Sequence, residues 1–175
     1  GGEPFMNPDM IDILEATLSR GFRALVLTNA MRPMAKMQGG LKRLRDAYGD
    51  RLVLRVSIDH YNRLHHERER GPRSWEPAID GLQWLSENGF NINVAGRTFW
   101  DENEGSLRAG YGRLFADIGL TIDPQDPVDL VLFPEMDEMA DVPEITTACW
   151  GILNVSPDAM MCASSRMVVK RKGAD

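Results

Sequence analysis

The sequence predicts an α/β protein built on a parallel sheet covered by helices. Stretches with apolar residues at helical spacing alternate with short β-type runs along most of the chain. Those runs are mostly apolar rather than two-faced, as strands buried on both sides are. With 175 residues the chain is long enough for one domain with its own core.

The elements follow in order. "MIDILEATLSRGF" reads as a helix ending near Gly21, and "RALVLTNA" as a strand ending in polar Thr28 and Asn29. "KMQGGLKRLRDAYGD" reads as a second helix starting after Gly40. "RLVLRVSID" is a strand that ends in Ser57 and Asp59. "SWEPAIDGLQWLSENGF" is a helix with Ser74 as N-cap and Gly89 just past its end. "NINVAGRT" is a strand that stops at Gly96. "SLRAGYGRLFADIGL" is a helix interrupted by Gly110 and Gly112, and "VDLVLFPEMDE" is the fourth strand. Beyond about Asp137 the alternation stops. Residues 1–137 are therefore expected to form the core and residues 138–175 an unassigned C-terminal extension.

Composition narrows the functions. A formal net charge of -6 argues against general nucleic-acid binding and against an anionic membrane surface. No apolar run is long enough to span a bilayer. No membrane partner and a cytoplasmic location are expected. Two cysteines, Cys149 and Cys162, do not make a disulfide framework. The ten methionines suit a core whose irregular gaps need an adaptable side chain.

In parallel α/β folds, ligands sit beyond the carboxyl ends of the strands. Those ends here carry Thr28-Asn29, Ser57-Asp59, Gly96-Arg97 and Pro134-Glu135. The opening "GGEP" is a turn that normally follows a strand. Its glycines permit unusual backbone angles and close approach to a ligand. If "GGEP" ends a strand too, Gly1, Gly2 and Glu3 join the same rim. Polar residues also end strands simply because loops are wet. The shared mouth is the reading taken here.

"GGEP", the strand ending "LTNA", and "RVSIDHYNRLHHERERGPRSWEPAIDGLQWLSENGFNINVAG" together resemble the radical S-adenosylmethionine (SAM) enzymes. The resemblance covers about Gly1 to Glu135. It implies a partial (βα)6 TIM-like barrel, here truncated to about four βα units. It also implies that Gly1, Gly2, Glu3 and Pro4 lie along the methionyl part of SAM, with Glu3 holding the turn or the ammonium. Thr28 and Asn29 match the end of the family's third strand. Ser57 and Asp59 match its fourth, near the ribose or the SAM carboxylate. Val94 and Gly96 match the region near the adenine, which Phe133 and Pro134 would border.

The family's CxxxCxxC loop, which holds a [4Fe–4S] cluster, is absent from this sequence. The resemblance thus implies a chain that starts at the end of the second strand and is inactive as it stands. The intact enzyme would use SAM, the cluster and an electron donor to make a 5′-deoxyadenosyl radical. Its substrate, small or macromolecular, is unknown.

Other constellations carry open readings. "DHYNRLHHERE" brings His60, His65 and His66 together with carboxylates, as a metal site or as a solvated charged face. Cys149 and Cys162 are auxiliary-cluster ligands or plain buried thiols. Two further functions compete with the SAM reading. One is a non-catalytic half-barrel binding or interaction module. The other is an α/β enzyme for a phosphorylated metabolite, which would need the glycine turn directly before a helix N-terminus. Asn7-Pro8 intervene, with Asn7 the expected N-cap.

Overall fold

The computed structural model describes residues 2–98, 102–134, 139 and 146–159. The chain divides into two units, Gly1–Met136 and Asp137–Asp175. In the first unit, a 3-10 turn at Pro4–Met6 precedes α1 (Met10–Ser19), β1 (Ala24–Thr28), α2 (Arg32–Ala35), α3 (Gln38–Tyr48) and β2 (Leu52–Ser57). Then follow α4 (Arg63–Arg70), α5 (Trp75–Glu87), β3 (Asn91–Arg97), α6 (Glu104–Asp117) and β4 (Leu130–Phe133). The described part of the second unit holds α7 (Ala148–Leu153) and a 3-10 turn at Pro157–Ala159.

The four strands form one sheet in the order β1-β2-β3-β4, and every pair is parallel. The predicted α/β class holds. All four carboxyl ends therefore lie along one edge of the sheet. The register sets Leu27 opposite Arg55 and Arg55 opposite Asn93; one step on, Val56 meets Val94 and Val94 meets Leu130.

Alternation along each strand sorts the side chains to two faces. One face carries Val26, Leu52, Leu54, Val56, Val94 and Leu130, all buried. It packs against a layer of helical leucines: Leu14 and Leu18 from α1, Leu41 and Leu44 from α3, and Leu82 and Leu85 from α5. Each such side chain contributes about 1.5–3 kcal/mol when fully buried. The other face carries Leu25 and Leu27, Arg55 and Ser57, Asn93 and Arg97, and Phe133. Leu25, Leu27 and Phe133 remain 45%, 49% and 46% exposed, so this is the open face. Burial is thus two-faced in β1, while on the central strands Val53, Asn93 and Ala95 of the same face are buried too.

Several boundaries differ from the sequence expectation. Helix α3 starts at Gln38 and runs through Gly39 and Gly40. Helix α6 is continuous through Gly110 and Gly112. A Cβ at Gly110 would lie 2.3 Å from the ring of Tyr61, so the residue serves close packing rather than a break. The N-cap of α1 is Asp9, and Asn7 ends the preceding 3-10 turn with its Oδ1 accepting from the Asp9 N–H at 3.1 Å. Ser74 does occupy the N-cap of α5, but its hydroxyl donates to the Gly71 carbonyl at 2.7 Å instead of capping the helix. Gly89 has φ +66 just past α5, as predicted. Helices α2 and α4 were not anticipated.

Close packing fixes α5 against the end of β1. A Cβ at Gly81 would meet the Ala30 carbonyl oxygen at 1.9 Å, a contact with backbone that cannot swing away. Gly81→Ala should therefore lower the unfolding free energy by about 1–3 kcal/mol, read as a lower urea midpoint. A Cβ at Gly39 would meet nothing within 4 Å. Gly39→Ala should raise stability by up to about 1 kcal/mol. An unmoved midpoint for Gly81→Ala would show that α5 does not press on the strand end.

Candidate functional site

The site begins with one carboxylate. Glu3 sits at the N-cap of the first 3-10 turn, where its Oε1 accepts from the Phe5 N–H at 3.3 Å. The same oxygen accepts from the Thr28 hydroxyl at 2.7 Å, and Oε2 accepts from the Asn29 N–H at 2.8 Å. The opening turn is thereby pinned to the end of β1. Thr28 Oγ1 in turn accepts from the Ala30 N–H at 3.0 Å, and Asn29 Oδ1 from the Met31 N–H at 3.0 Å. These local bonds bend the chain sharply, and Ala30 takes φ +56, in the left-handed region that costs an alanine about 1–2 kcal/mol.

The second anchor is Asp59, two residues past β2 and buried. Its carboxylate accepts a two-pronged pair of bonds from Arg70, 2.6 Å from Nε and 2.9 Å from Nη2. Arg97 Nε stands 3.7 Å away. The Asp59 carbonyl accepts from the Arg97 N–H at 3.0 Å, which carries β2's pairing with β3 beyond the strand end. Helix α4 exists to return Arg70 to Asp59. Asn62 caps it by accepting from the Leu64 N–H at 2.8 Å, and Gly71, at φ +90, ends it.

Between these anchors lies a cavity of about 330 Å³ lined by Gly2, Glu3, Leu27, Thr28, Asn29, Ser57 and Arg70. Of the residues singled out in the sequence, Gly2, Glu3, Thr28, Asn29 and Ser57 thus come together. Pro4 starts the 3-10 turn beside them. Asp59 acts through Arg70. Phe133 lies on the open face of β4, with exposed Pro134 after it. Val94 and Gly96 occupy the helix-facing side of β3, away from the cavity. Val94 is fully buried, and Gly96 makes room for Tyr111, whose hydroxyl a Cβ there would meet at 2.2 Å. That hydroxyl donates to the Ile58 carbonyl at 2.7 Å, and burial pushes its pKa well above the ordinary value. Gly1, Glu135 and Cys162 lie outside the described residues. Cys149 belongs to α7 of the second unit and is a free thiol.

Sequence reasoning did not place Arg70 in the site. The available signal was a guanidinium eleven positions beyond a strand-end carboxylate, at the end of a polar stretch.

The histidines serve structure. His66 Nδ1 accepts from the Asp59 N–H at 3.3 Å, and its ring meets Trp75 edge-on with centroids 5.4 Å apart. His60 Nδ1 accepts from the Asn62 N–H at 2.9 Å, and its Nε2 stands 3.4 Å from Glu102. Both rings are about 1% exposed. Burial lowers both pKa values, against the raising pull of Asp59 on His66 and Glu102 on His60. Among the described residues, no group of three or more His, Cys, Asp or Glu is placed to hold a metal ion. No helix among them is long and apolar enough to cross a membrane.

Two measurements test this arrangement. Glu3→Ala strands the Thr28 hydroxyl and the Asn29 N–H, and should cost about 1.5–3 kcal/mol in urea unfolding. A loss below the error of the extrapolation would show that the turn is held otherwise. The second is pH. Burial lowers the pKa of His60 and His66 in the folded chain, so near their ordinary pKa the unfolded chain binds more protons. Stability then falls as pH drops through that value. The melting temperature should decline between about pH 7.5 and about pH 5.5, and the double variant His60→Gln, His66→Gln should flatten that slope. A slope that the double variant leaves unchanged would assign it to other groups.

The crystal structure of SuiB from Streptococcus suis is similar to this one with a TM-score of 0.57 at 14% identity, over 88% of this chain and 33% of that one. The likeness is one of fold. The chain spans about a third of the length of that protein. No curated protein matches it. The family model of the Radical SAM superfamily matches residues 1–108, from the opening turn into α6 and across every residue lining the cavity. The chain belongs to the radical SAM superfamily.

Proposed function

We propose that the cavity at the strand ends binds S-adenosylmethionine and that this chain forms the SAM-binding side of a radical SAM enzyme. The supporting observation is that one cavity gathers Glu3, Asn29, Ser57 and Arg70, tied in place by Thr28 and Asp59. SAM presents an ammonium, a carboxylate, ribose hydroxyls and a flat base. Each finds a complementary group here.

The charges match first. Glu3 accepts three hydrogen bonds. A carboxylate has about four acceptor positions, so capacity remains for an ammonium. Arg70 gives Nε and Nη2 to Asp59, and its Nη1 has no hydrogen bond with a described residue. That nitrogen is available to a carboxylate. A zwitterionic amino-acid end thus meets one group of each sign, and uncharged ligands gain nothing from either. The hydroxyl of Ser57 and the side-chain NH₂ of Asn29 suit ribose hydroxyls, and Leu27 offers an apolar wall. Phe133 and Pro134, at the end of β4, would border the base.

SAM supplies, when bound and given one electron, a carbon radical for hydrogen abstraction. A [4Fe–4S] cluster takes thiolate ligands. Among the described residues Cys149 is the one cysteine, and it stands in the second unit, so these residues do not fit a cluster. The contribution of this chain is to bind SAM, to orient it along the strand ends and to keep water from it.

The test is calorimetric titration of the chain with SAM, with S-adenosylhomocysteine and with methionine. All three should compete for one site, because the amino-acid end is common to them. Ser57→Ala should weaken binding about 3- to 10-fold through one lost hydrogen bond. Arg70→Lys keeps the charge but loses the planar fork, and should weaken it about 10-fold or more. A folded chain that ignores SAM at millimolar concentration, or binds it equally well in both variants, would overturn the proposal.

A further inference from the structure

The open face of the sheet holds one charge that the site above does not use. Arg55 lies in the middle of β2, with Leu27 opposite on β1 and Asn93 opposite on β3. Two residues further along the same face is Ser57, which lines the cavity, as does Leu27. Arg55 is therefore directly beneath the cavity, on the side facing the interior of the partial barrel. Its side chain is half-buried, and its Nε is buried without a hydrogen-bond partner. It forms no hydrogen bond or ion pair with any described residue, unlike Arg70, which is held by Asp59. Burial lowers its pKa. Asn93 offers no negative charge, and its NH₂ group is directed to the Ile92 carbonyl and to Asp129. Leu27 and Val53 are the apolar neighbours on this face.

A half-buried guanidinium with an unmet donor is costly in a strand centre, where an aliphatic side chain would pack better. The cost is recovered when an oxyanion docks, because a planar fork meets carboxylate or phosphate oxygens with two parallel bonds. The chain is acidic overall, so a general attraction for anions does not account for the residue.

We propose that Arg55 is an anion subsite on the open sheet face, and that it holds a carboxylate or phosphate of the molecule on which the SAM-bound enzyme acts. This rests on the SAM reading of the neighbouring cavity. That molecule carries an oxyanion at one end and lies across Leu27 and Phe133, with its reacting part reaching the strand ends near Ser57. Leu27 and Phe133 are apolar, so the part that lies across them is apolar as well.

The experiment uses the whole chain, saturated with SAM, and titrates it with succinate and separately with inorganic phosphate at constant ionic strength. Binding is read by calorimetry and by the shift in melting temperature. At least one probe should bind at millimolar concentration or better, and which one does tells a carboxylate from a phosphate. Arg55→Met should weaken that probe about 10- to 100-fold, as loss of a charged hydrogen-bond pair does. Arg55→Lys should fall between the two. Anion-free, Arg55→Met should melt no lower than the parent chain, since it removes an unpaired charge. SAM affinity, measured in the same samples, should be unchanged in Arg55→Met. Anion binding equal in parent and Arg55→Met would overturn the proposal, as would neither probe binding. A loss of SAM affinity in Arg55→Met would overturn it too, by assigning Arg55 to SAM itself. Failure of the parent chain to bind SAM at all is a separate result that strikes the cavity reading alone.

Discussion

The whole site depends on the carboxylate of Glu3 reaching across to the end of β1. Two short bonds from one side chain join residues that are 25 and 26 positions apart in sequence. Without them the opening turn has no tertiary hydrogen bond of its own among the described residues, and the cavity loses its wall on that side. The cost is visible nearby. Thr28 is buried, and Ala30 is held in a left-handed conformation against the backbone of α5 at Gly81. Strain of this kind persists only where surrounding bonds over-determine it. Here they do, since the Thr28 and Asn29 side chains each accept from the backbone two residues on.

The parallel sheet explains why so little is needed to make a site. Once all strands run one way, their ends share an edge, and any polar residue there is already gathered. What remains is to set signs and orientations. Glu3 supplies the negative side and Arg70 the positive one. Each is oriented by a partner that is itself fixed, Thr28 for the first and Asp59 for the second. A group aimed by a buried neighbour loses little further freedom when a ligand arrives, which is why such pairs favour affinity.

The fold was legible because its signal is apolar. Helices α1, α3 and α5 each bury two or more large residues at helical spacing, and the strands are rich in Val and Leu. The site was legible in part, because polar residues at strand ends stand out against such runs. Which way Val94 and Gly96 face was not legible, for a physical reason. Position in a strand does not reveal the face until the register is known, and a shift of one residue turns a side chain from the cavity to the core. Gly96 is small for the sake of Tyr111 behind the sheet, which lies 15 residues on and gives no local sign of it. Gly110, read as an interruption, is the same kind of packing device for Tyr61.

Helix α4 was missed because "RLHHERER" has almost no apolar residue, and His66 is the one side chain in it that is buried. Hydrophobic periodicity cannot report a helix that packs with a polar ring. Yet this is the element that carries the guanidinium to Asp59. Its limits are set by a side-chain cap at Asn62 and a left-handed glycine at Gly71, signals that say where a helix stops and not what it is for. Its eight residues rise about 12 Å, enough to bring Arg70 from the far side of the loop back to the strand end. Loops that carry function are expected to be polar, and a polar helix hidden among them is read as loop for the same reason. The face of the sheet shows the converse. Arg55 was hidden inside a run that reads as core, because a single charge among Val and Leu does not break a strand pattern. Only the register, which sets it between Leu27 and Asn93 and beside Ser57, shows that it stands on the open side, where a charge can be used.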